Sequence, residues 1–203
     1  MSQVEWKSFN LPNIPLYDTH LPETVIDRLW EYANDASELM NQGLAGNISE
    51  SFVLSDKANY LLEFLRPVAE RYSTETLTWS EREALGNELK LRNLWINYQN
   101  KHEFNPGHNH TGTLSFVIWL KIPIEGDDQH NLPISRNSNC PSASDFEFVY
   151  TDILGNIRDY HIKMGKDKEG IILVFPARLR HQVYPFYECN EKRVSISGNL
   201  EWI

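Results

Sequence analysis

The chain has 203 residues, of which 41% are hydrophobic and 12% aromatic, and its formal net charge is −9. Its length and composition indicate one folded globular domain and exclude a disordered chain. The excess of acidic over basic residues, 28 against 19, argues against broad, unspecific binding to nucleic acid, because the chain repels polyanions at long range.

The cysteines and the apolar segments indicate the cellular setting. Cys140 and Cys189 lie in polar, loop-like stretches, and two thiols make no disulfide scaffold, although a bond between them stays open. Residues 1–7 lack a basic region followed by an apolar run, so we expect no signal peptide. The longest mostly apolar stretch, 114–124, is too short to span a bilayer. We therefore expect a reducing, cytoplasmic setting and no membrane association.

Residues 1–90 carry helical patterns. Pro22 suits the first turn of a helix, where its missing N–H would have had no partner. A second helix is predicted after the cap Ser55-Asp56, with an apolar stripe along 60–72. Pro67 falls inside this stripe and is expected to kink or split the helix. The amphipathic pattern predicts that both helices brace a sheet.

From Leu91 onwards the apolar period changes to two, which is typical of strands. Short strands separated by turn residues predict a sandwich or a barrel. Residues 126–145 are polar and rich in Asn, Ser and Pro, and we predict a long loop that selects the substrate. The predicted strands are 91–99, 113–122, 146–151, 157–163, 170–175, 182–184, 193–197 and 200–203.

Three of the seven histidines have a spacing that suits a metal. His108 and His110 stand at i and i+2 on extended chain, so both imidazoles project from one face and can reach one ion at roughly 2.1 Å. The alternative is a pair of solvent-exposed polar histidines. His181 would complete a three-ligand site if its segment lies beside theirs, and such a site leaves positions open for substrates. The remaining histidines are predicted to be ordinary surface or structural residues: His20, His102, His130 and His161.

The strand at 193–197 presents a polar face. Alternation places Arg193, Ser195 and Ser197 on one side, and Val194 and Ile196 on the other. A guanidinium is the preferred partner of a carboxylate, because its fork donates two parallel hydrogen bonds. The alternative is a strand at the protein surface with a polar outer face.

Together these motifs resemble a known family. A His-x-His pair stands before a strand, a distal His181 follows Phe175-Pro176, and Arg193 comes shortly afterwards. This order resembles the 2-oxoglutarate/Fe(II)-dependent oxygenase superfamily, and more narrowly a mostly uncharacterised branch with a His-x-His proximal motif. The resemblance covers residues 91–200.

The resemblance implies a mostly β fold with N-terminal helices, namely a double-stranded β-helix (a cupin-like jelly roll) braced by helices. Residues 1–203 would form a single domain, with 1–90 as helical support and 91–203 as the catalytic core. His108 would be the proximal metal ligand and His181 the distal one. Most of the superfamily has Asp or Glu where this chain has His110. Either three histidines bind the metal, or water or another group replaces His110.

The resemblance also implies the cofactors. Fe(II) would be the metal, and 2-oxoglutarate and O₂ the co-substrates, with Arg193 holding the distal carboxylate of 2-oxoglutarate next to Ser195. Asn97 and Ser115 are further candidates for co-substrate contacts. Trp119 either walls the pocket or belongs to the core. No catalytic residue beyond the metal ligands is expected, because the cofactor performs the chemistry.

Two other functions stay open from the sequence. The chain could be another three-histidine cupin-type metalloenzyme, in which Arg193 is structural or binds the substrate itself. It could also be a non-catalytic jelly-roll binding protein with a vestigial metal site. The identity of the prime substrate and the oligomeric state are not predicted.

Overall fold

The computed structural model describes residues 7–8, 13–40 and 43–203. Within these ranges the chain forms ten strands and four α-helices, with short 3₁₀ turns between some of them. In chain order they are β1 Tyr17–His20, α1 Glu23–Asn34, β2 Ser51–Val53, α2 Tyr60–Thr76, α3 Trp79–Ala84, β3 Leu89–Gln99, β4 Asn105–His108, β5 Leu114–Lys121, α4 Gly126–Asn131, β6 Phe146–Thr151, β7 Ile157–Ile162, β8 Ile171–Pro176, β9 Arg180–Val183 and β10 Arg193–Trp202.

The strands form two antiparallel sheets. The larger has the order β1-β8-β5-β10-β3-β2, and the smaller has the order β4-β9-β6-β7. Most neighbours in each sheet are not consecutive strands, as in the pairing of β5 with both β8 and β10, whereas β6 and β7 form a hairpin. This crossed connectivity is that of a jelly roll, as the sequence predicted.

One face of the six-stranded sheet is covered by α1 and α2. Leu29, Leu61 and Leu65 of the helices join Ile96 and Ile196 of the sheet in one hydrophobic cluster. Each such side chain contributes about 1.5–3 kcal/mol by leaving water. The prediction that the helices brace the sheet is therefore confirmed.

The opposite face of the same sheet meets the four-stranded sheet. Val117, Trp119 and Leu173 of the large sheet form a second cluster with Phe146 and Phe148 of β6. Side chains alternate between the two faces of a strand, so β5 contributes side chains to both clusters. At one end of the space between the sheets the apolar side chains give way to polar ones, and the candidate site lies there.

The helices differ in detail from the prediction. α2 continues through Pro67, so the proline does not split it. Its start is held by the Asp56 carboxylate, which accepts hydrogen bonds from the backbone N–H groups of Leu61 and Leu62, both at 2.9 Å. The predicted loop at 126–145 contains the short helix α4.

Three strands were not predicted from the sequence. β1 and β2 lie in the first ninety residues and extend the large sheet at its two edges, so this part is not only helical support. β4 begins with Asn105-Pro106-Gly107, which favours a turn locally, but its pairing with β9 keeps it extended. The two strands predicted at 193–203 are one strand, β10, with a register shift at Asn199/Leu200.

The helices and the cysteines bear on two of the expectations from the sequence. No helix in the described part of the chain is both long and apolar enough to cross a bilayer. Cys140 and Cys189 are free thiols, with Cys140 exposed and Cys189 partly buried. The disulfide that the sequence left open is therefore not formed in this structure.

Candidate metal centre

Two of the three predicted ligands are cross-strand partners. His108 on β4 and His181 on β9 occupy opposite positions of the antiparallel pair, and their ring centroids are 4.4 Å apart. Side chains at opposite positions of a ladder project to the same face. The pairing of β4 with β9 therefore brings together two histidines that are far apart in the sequence.

His110 reaches the same point from just beyond the end of β4. Its backbone N–H donates to the Ala177 carbonyl at 2.8 Å, which fixes this segment next to the chain that leads into β9. Its ring centroid lies 4.9 Å from that of His108 and 5.1 Å from that of His181. One ring nitrogen from each of the three histidines lies within 4.8 Å of the other two.

Backbone carbonyls orient two of the three rings. His108 Nδ1 lies 2.7 Å from the Pro106 carbonyl oxygen, and His181 Nδ1 lies 2.9 Å from that of Leu179. A carbonyl only accepts, so each Nδ1 carries the proton and each Nε2 presents its lone pair. Ligating histidines are usually fixed in this way through their second nitrogen.

Burial keeps these imidazoles neutral. His181 is 4% exposed and stacks on Phe146 with 5.5 Å between centroids and 12° between planes. Burial, with the nearby His108 as a smaller cause, lowers the pKa of His181 to about 3 and that of His110 to about 4. Protons therefore do not compete for these nitrogens at neutral pH, where a metal needs the unprotonated form. Three converging neutral nitrogen donors fit a divalent transition metal such as Fe(II).

Arg193 lies at the start of β10 and is 2% exposed. Its Nε and Nη2 donate to Gln99 Oε1 at 3.0 and 2.8 Å, Nη1 donates to the Ser144 carbonyl at 2.8 Å, and Nη2 also donates to the Tyr184 carbonyl at 3.1 Å. All three partners are neutral. Burial lowers the pKa of Arg193 to about 10, while the charge of Asp145 acts in the opposite direction.

No carboxylate of the described residues lies within 4.0 Å of the Arg193 nitrogens. A buried charge without a direct counter-ion is costly. The Arg193 side chain lines the same cavity as the three histidines. A carboxylate entering this cavity would supply the missing charge, so the site also fits an oxo acid.

Most of the residues that were predicted to contact the co-substrate line this cavity. Asn97, Arg193 and Ser195 line it, and so does Trp119, which also belongs to the core between the sheets. Ser115 does not line it. Its hydroxyl donates to Asn199 Oδ1 at 2.7 Å, because the pairing of β5 with β10 sets these two residues opposite each other.

Sequence reasoning missed several residues of this site. Gln99 has the same strand parity as Asn97 and could have been found from the alternation of β3. The Ser144 and Tyr184 carbonyls are backbone groups in loops and carry no signal in the sequence. Asn105 also lines the cavity, and its Oδ1 is buried without a hydrogen-bond partner, which makes this residue a candidate contact for a ligand.

Comparisons with known proteins agree with this geometry. A sequence profile of the family described as "Putative 2OG-Fe(II) oxygenase" matches residues 93–199, more than half of the chain. A search of curated protein sequences gave no significant match.

Several solved structures share the fold. A Pseudomonas putida prolyl-4-hydroxylase has a TM-score of 0.52 and 13% identity, with 93% of this chain and 92% of that chain covered. The viral collagen prolyl hydroxylase of Paramecium bursaria Chlorella virus-1, in complex with 2OG, has a TM-score of 0.52 and 11% identity, covering 93% and 96%. HygX from Streptomyces hygroscopicus, with nickel, 2-oxoglutarate and hygromycin B bound, has a TM-score of 0.51 and 9% identity, covering 92% and 82%.

At these identities the likeness concerns the fold, and it confirms the predicted double-stranded β-helix. The family match adds the chemistry that the fold alone does not determine. The chain therefore belongs to the 2OG-Fe(II) oxygenase family and is an oxygenase that depends on iron(II) and 2-oxoglutarate.

Proposed function

We propose that His108, His110 and His181 hold the iron and that Arg193 binds the distal carboxylate of 2-oxoglutarate, so that the enzyme hydroxylates its substrate. The observation that carries this assignment is one cavity lined by three neutral imidazoles and by a buried guanidinium that has no direct counter-ion among the described residues. In this assignment His110 takes the place of the carboxylate ligand that most of the superfamily has.

The chain's own residues bind the metal and the co-substrate and hold them in a fixed orientation. The Pro106 and Leu179 carbonyls keep the Nε2 atoms of His108 and His181 directed at the metal position. Gln99, Ser144 and Tyr184 hold the guanidinium of Arg193 in one orientation. Such preorganisation lowers the entropic cost of placing the co-substrate next to the metal.

Smaller polar groups complete the pocket. Ser195 projects from β10 on the same face as Arg193, which suits a second hydrogen bond to the co-substrate carboxylate. Asn97 accepts a hydrogen bond from the Ser51 hydroxyl at 2.7 Å through its Oδ1, so its orientation is fixed. The aromatic side chains of Trp119 and Phe146 close the apolar side and limit the access of water.

The bound cofactors supply the oxidation. In a hydroxylation, one oxygen atom of O₂ enters the substrate C–H bond and the other enters succinate, while 2-oxoglutarate loses CO₂. No protein side chain needs to act as a nucleophile or a general base in this reaction. No finding favours a cupin-type enzyme without 2-oxoglutarate or a vestigial site.

The proposal is tested by anaerobic titration of the Fe(II)-loaded protein with 2-oxoglutarate, followed through the visible charge-transfer band of the chelate. Arg193→Lys should weaken 2-oxoglutarate binding by about 10- to 150-fold, the worth of a hydrogen bond between charged groups. The matched control is Arg178→Lys, on an exposed arginine, which should leave binding unchanged.

Two results would overturn the assignment. Unaltered 2-oxoglutarate affinity in a folded Arg193→Lys protein would remove Arg193 from the site. Iron binding without any charge-transfer band on adding 2-oxoglutarate would mean that the co-substrate does not chelate this metal. Thermal unfolding of each variant separates these outcomes from a loss of fold.

A further inference from the structure

A second group of potential metal ligands lies outside the cavity, on the four-stranded sheet. Asp159 and His161 stand at i and i+2 on β7, the edge strand, and therefore project from one face. Glu147 of β6 is the cross-strand partner of His161. Cys140 approaches from the preceding loop, with its Sγ 3.6 Å from His161 Nε2.

The two groups occupy opposite faces of this sheet. His181 pairs with Phe148, whereas the next residue, Gln182, pairs with Glu147, which in turn pairs with His161. Successive residues of a strand point to opposite faces. The cluster around His161 is therefore separated from the three-histidine centre by the sheet itself.

We propose that Cys140, Asp159 and His161 form a second metal site, of the type that binds Zn(II), with Glu147 in reach as a fourth ligand.

The distances suit tetrahedral coordination. From His161 Nε2, the nearest oxygens of Asp159 and Glu147 lie at 3.6 and 3.8 Å. Metal bonds of 2.0–2.3 Å at tetrahedral angles separate ligand atoms by roughly 3.3–3.6 Å. The ligand atoms of Cys140, Asp159 and His161 all lie within 4.8 Å of one another, so small side-chain rotations would close the site around an ion.

His161 is oriented as a zinc ligand usually is. Its Nδ1 lies 3.2 Å from the carboxylate of Asp145, which is 1% exposed. A proton on Nδ1 satisfies this contact and leaves the Nε2 lone pair directed at Cys140, Asp159 and Glu147. A buried carboxylate behind a histidine is a recurrent arrangement at zinc sites, where it fixes the ring and raises its basicity.

The local charge also favours a cation. Asp145, Glu147 and Asp159 surround His161, and the described residues place no Lys or Arg within ion-pair distance of Glu147 or Asp159. Glu147 accepts a hydrogen bond from a neutral group, the Gln182 amide, at 2.6 Å. A thiolate, an imidazole and carboxylates together favour Zn(II) over the hard cations Mg²⁺ and Ca²⁺.

The site would brace the neighbouring oxygenase centre. Cys140 lies in the segment that continues to Ser144, whose carbonyl accepts a hydrogen bond from Arg193. A metal that joins Cys140 to β7 would restrain this segment. Because such a metal binds the folded state, it should also raise the melting temperature.

Cobalt(II) distinguishes the two sites, since a thiolate ligand gives a near-ultraviolet charge-transfer band and a nitrogen-only site does not. Titration of the reduced, metal-free, full-length protein should produce this band, and Zn(II) should displace it. Cys140→Ser should abolish the band. Asp159→Asn should weaken Co(II) binding by more than about tenfold, because even the loss of a residue that only hydrogen-bonds to a metal ligand lowers metal affinity by about that factor. Cys189→Ser is the matched control and should keep the band, because this thiol lies near the Pro123 and Glu191 carbonyls instead.

Stoichiometry gives an independent readout. The wild-type chain should bind two equivalents of Zn(II), and Cys140→Ser and His108→Ala should each bind one, with the cobalt band kept only in His108→Ala. Absence of the band at saturating Co(II) in the wild type would overturn the proposal. An undiminished band in Cys140→Ser, or its loss in Cys189→Ser, would do the same, and then the cluster would be only a hydrogen-bonded brace.

Discussion

The two histidine clusters share one sheet but prepare their imidazoles in different ways. In the centre between the sheets, backbone carbonyls hold the Nδ1 atoms of His108 and His181. In the outer cluster, the buried carboxylate of Asp145 holds His161. Only the second arrangement depends on a side chain, and it can therefore be removed by a single substitution.

The clusters also differ in donors and charge. The inner one offers three neutral nitrogens, with the cationic side chains of Arg193 in the cavity and of Arg180 near His108, whereas the outer one offers sulfur, nitrogen and carboxylate oxygens. Three protein ligands leave coordination positions for substrates, and four close the site. The difference separates a site that must admit an oxo acid from one that only needs to hold an ion.

The largest effect should come from His181→Ala. Loss of a ligand should reduce the formation of succinate from 2-oxoglutarate by at least about 100-fold. Mutation of a residue that only hydrogen-bonds to a metal ligand already lowers metal affinity or activity by about 10–100-fold. The cobalt–thiolate band of the outer cluster should remain. His20→Ala, on an exposed histidine of β1, is the control. Retained turnover in His181→Ala would refute the assignment of the inner centre.

Asp145→Asn should act on the other cluster. Weakening the acceptor behind His161 should lower the Zn(II) affinity of the outer site by about 10–100-fold, as measured by competition with a chelating dye. Asp145→Glu is the conservative comparison and should recover part of this affinity. Equal affinities in all three proteins would show that Asp145 does not position the ligand.

His110 tests whether three histidines bind the iron. His110→Ala should weaken Fe(II) binding by about tenfold or more, and His110→Asp should restore it, because a carboxylate can occupy the same coordination position. Measurement of Fe(II) affinity under anaerobic conditions checks both. If His110→Ala binds iron as tightly as the wild type, water or another group takes this position.

Phe146→Leu should have the smallest effect on the inner centre. The stacked ring supports His181, and its loss should lower the free energy of unfolding by about 1–2 kcal/mol and iron affinity by less than about tenfold. Phe148→Leu is the matched control, because this ring meets His181 edge-on at 6.2 Å. Phe148→Leu should lower the free energy of unfolding without changing iron affinity. Denaturant unfolding measures the first quantity, and iron titration measures the second.

Local patterns predicted much of the fold and of the inner site. Alternation correctly placed Arg193, Ser195 and Asn97 on the faces that line the cavity. The parity also holds for Ser115, which shares a face of β5 with Trp119, but Ser115 lies nearer the start of the strand and does not line the cavity. Parity gives the face of a strand but not the position along it at which a cavity opens.

The outer cluster was not predicted as a metal site. His130 and His161 were expected to be ordinary surface or structural residues, although Asp159 and His161 stand at i and i+2 on a strand. The structure pairs both with Asp145, at 2.7 and 3.2 Å. These contacts join a loop, a short helix and an edge strand, and no single local pattern contains them.

The sequence by itself determined which residues alternate, which stripes are apolar, and that His108 and His110 share a face, because these properties follow from the local geometry of a strand or a helix. The tertiary structure alone decided that His181 lies opposite His108, that Arg193 is buried among neutral acceptors, and that Cys140 reaches His161. Each of these depends on the register between strands that are distant in the chain, and register is set by the burial of whole faces rather than by neighbouring residues.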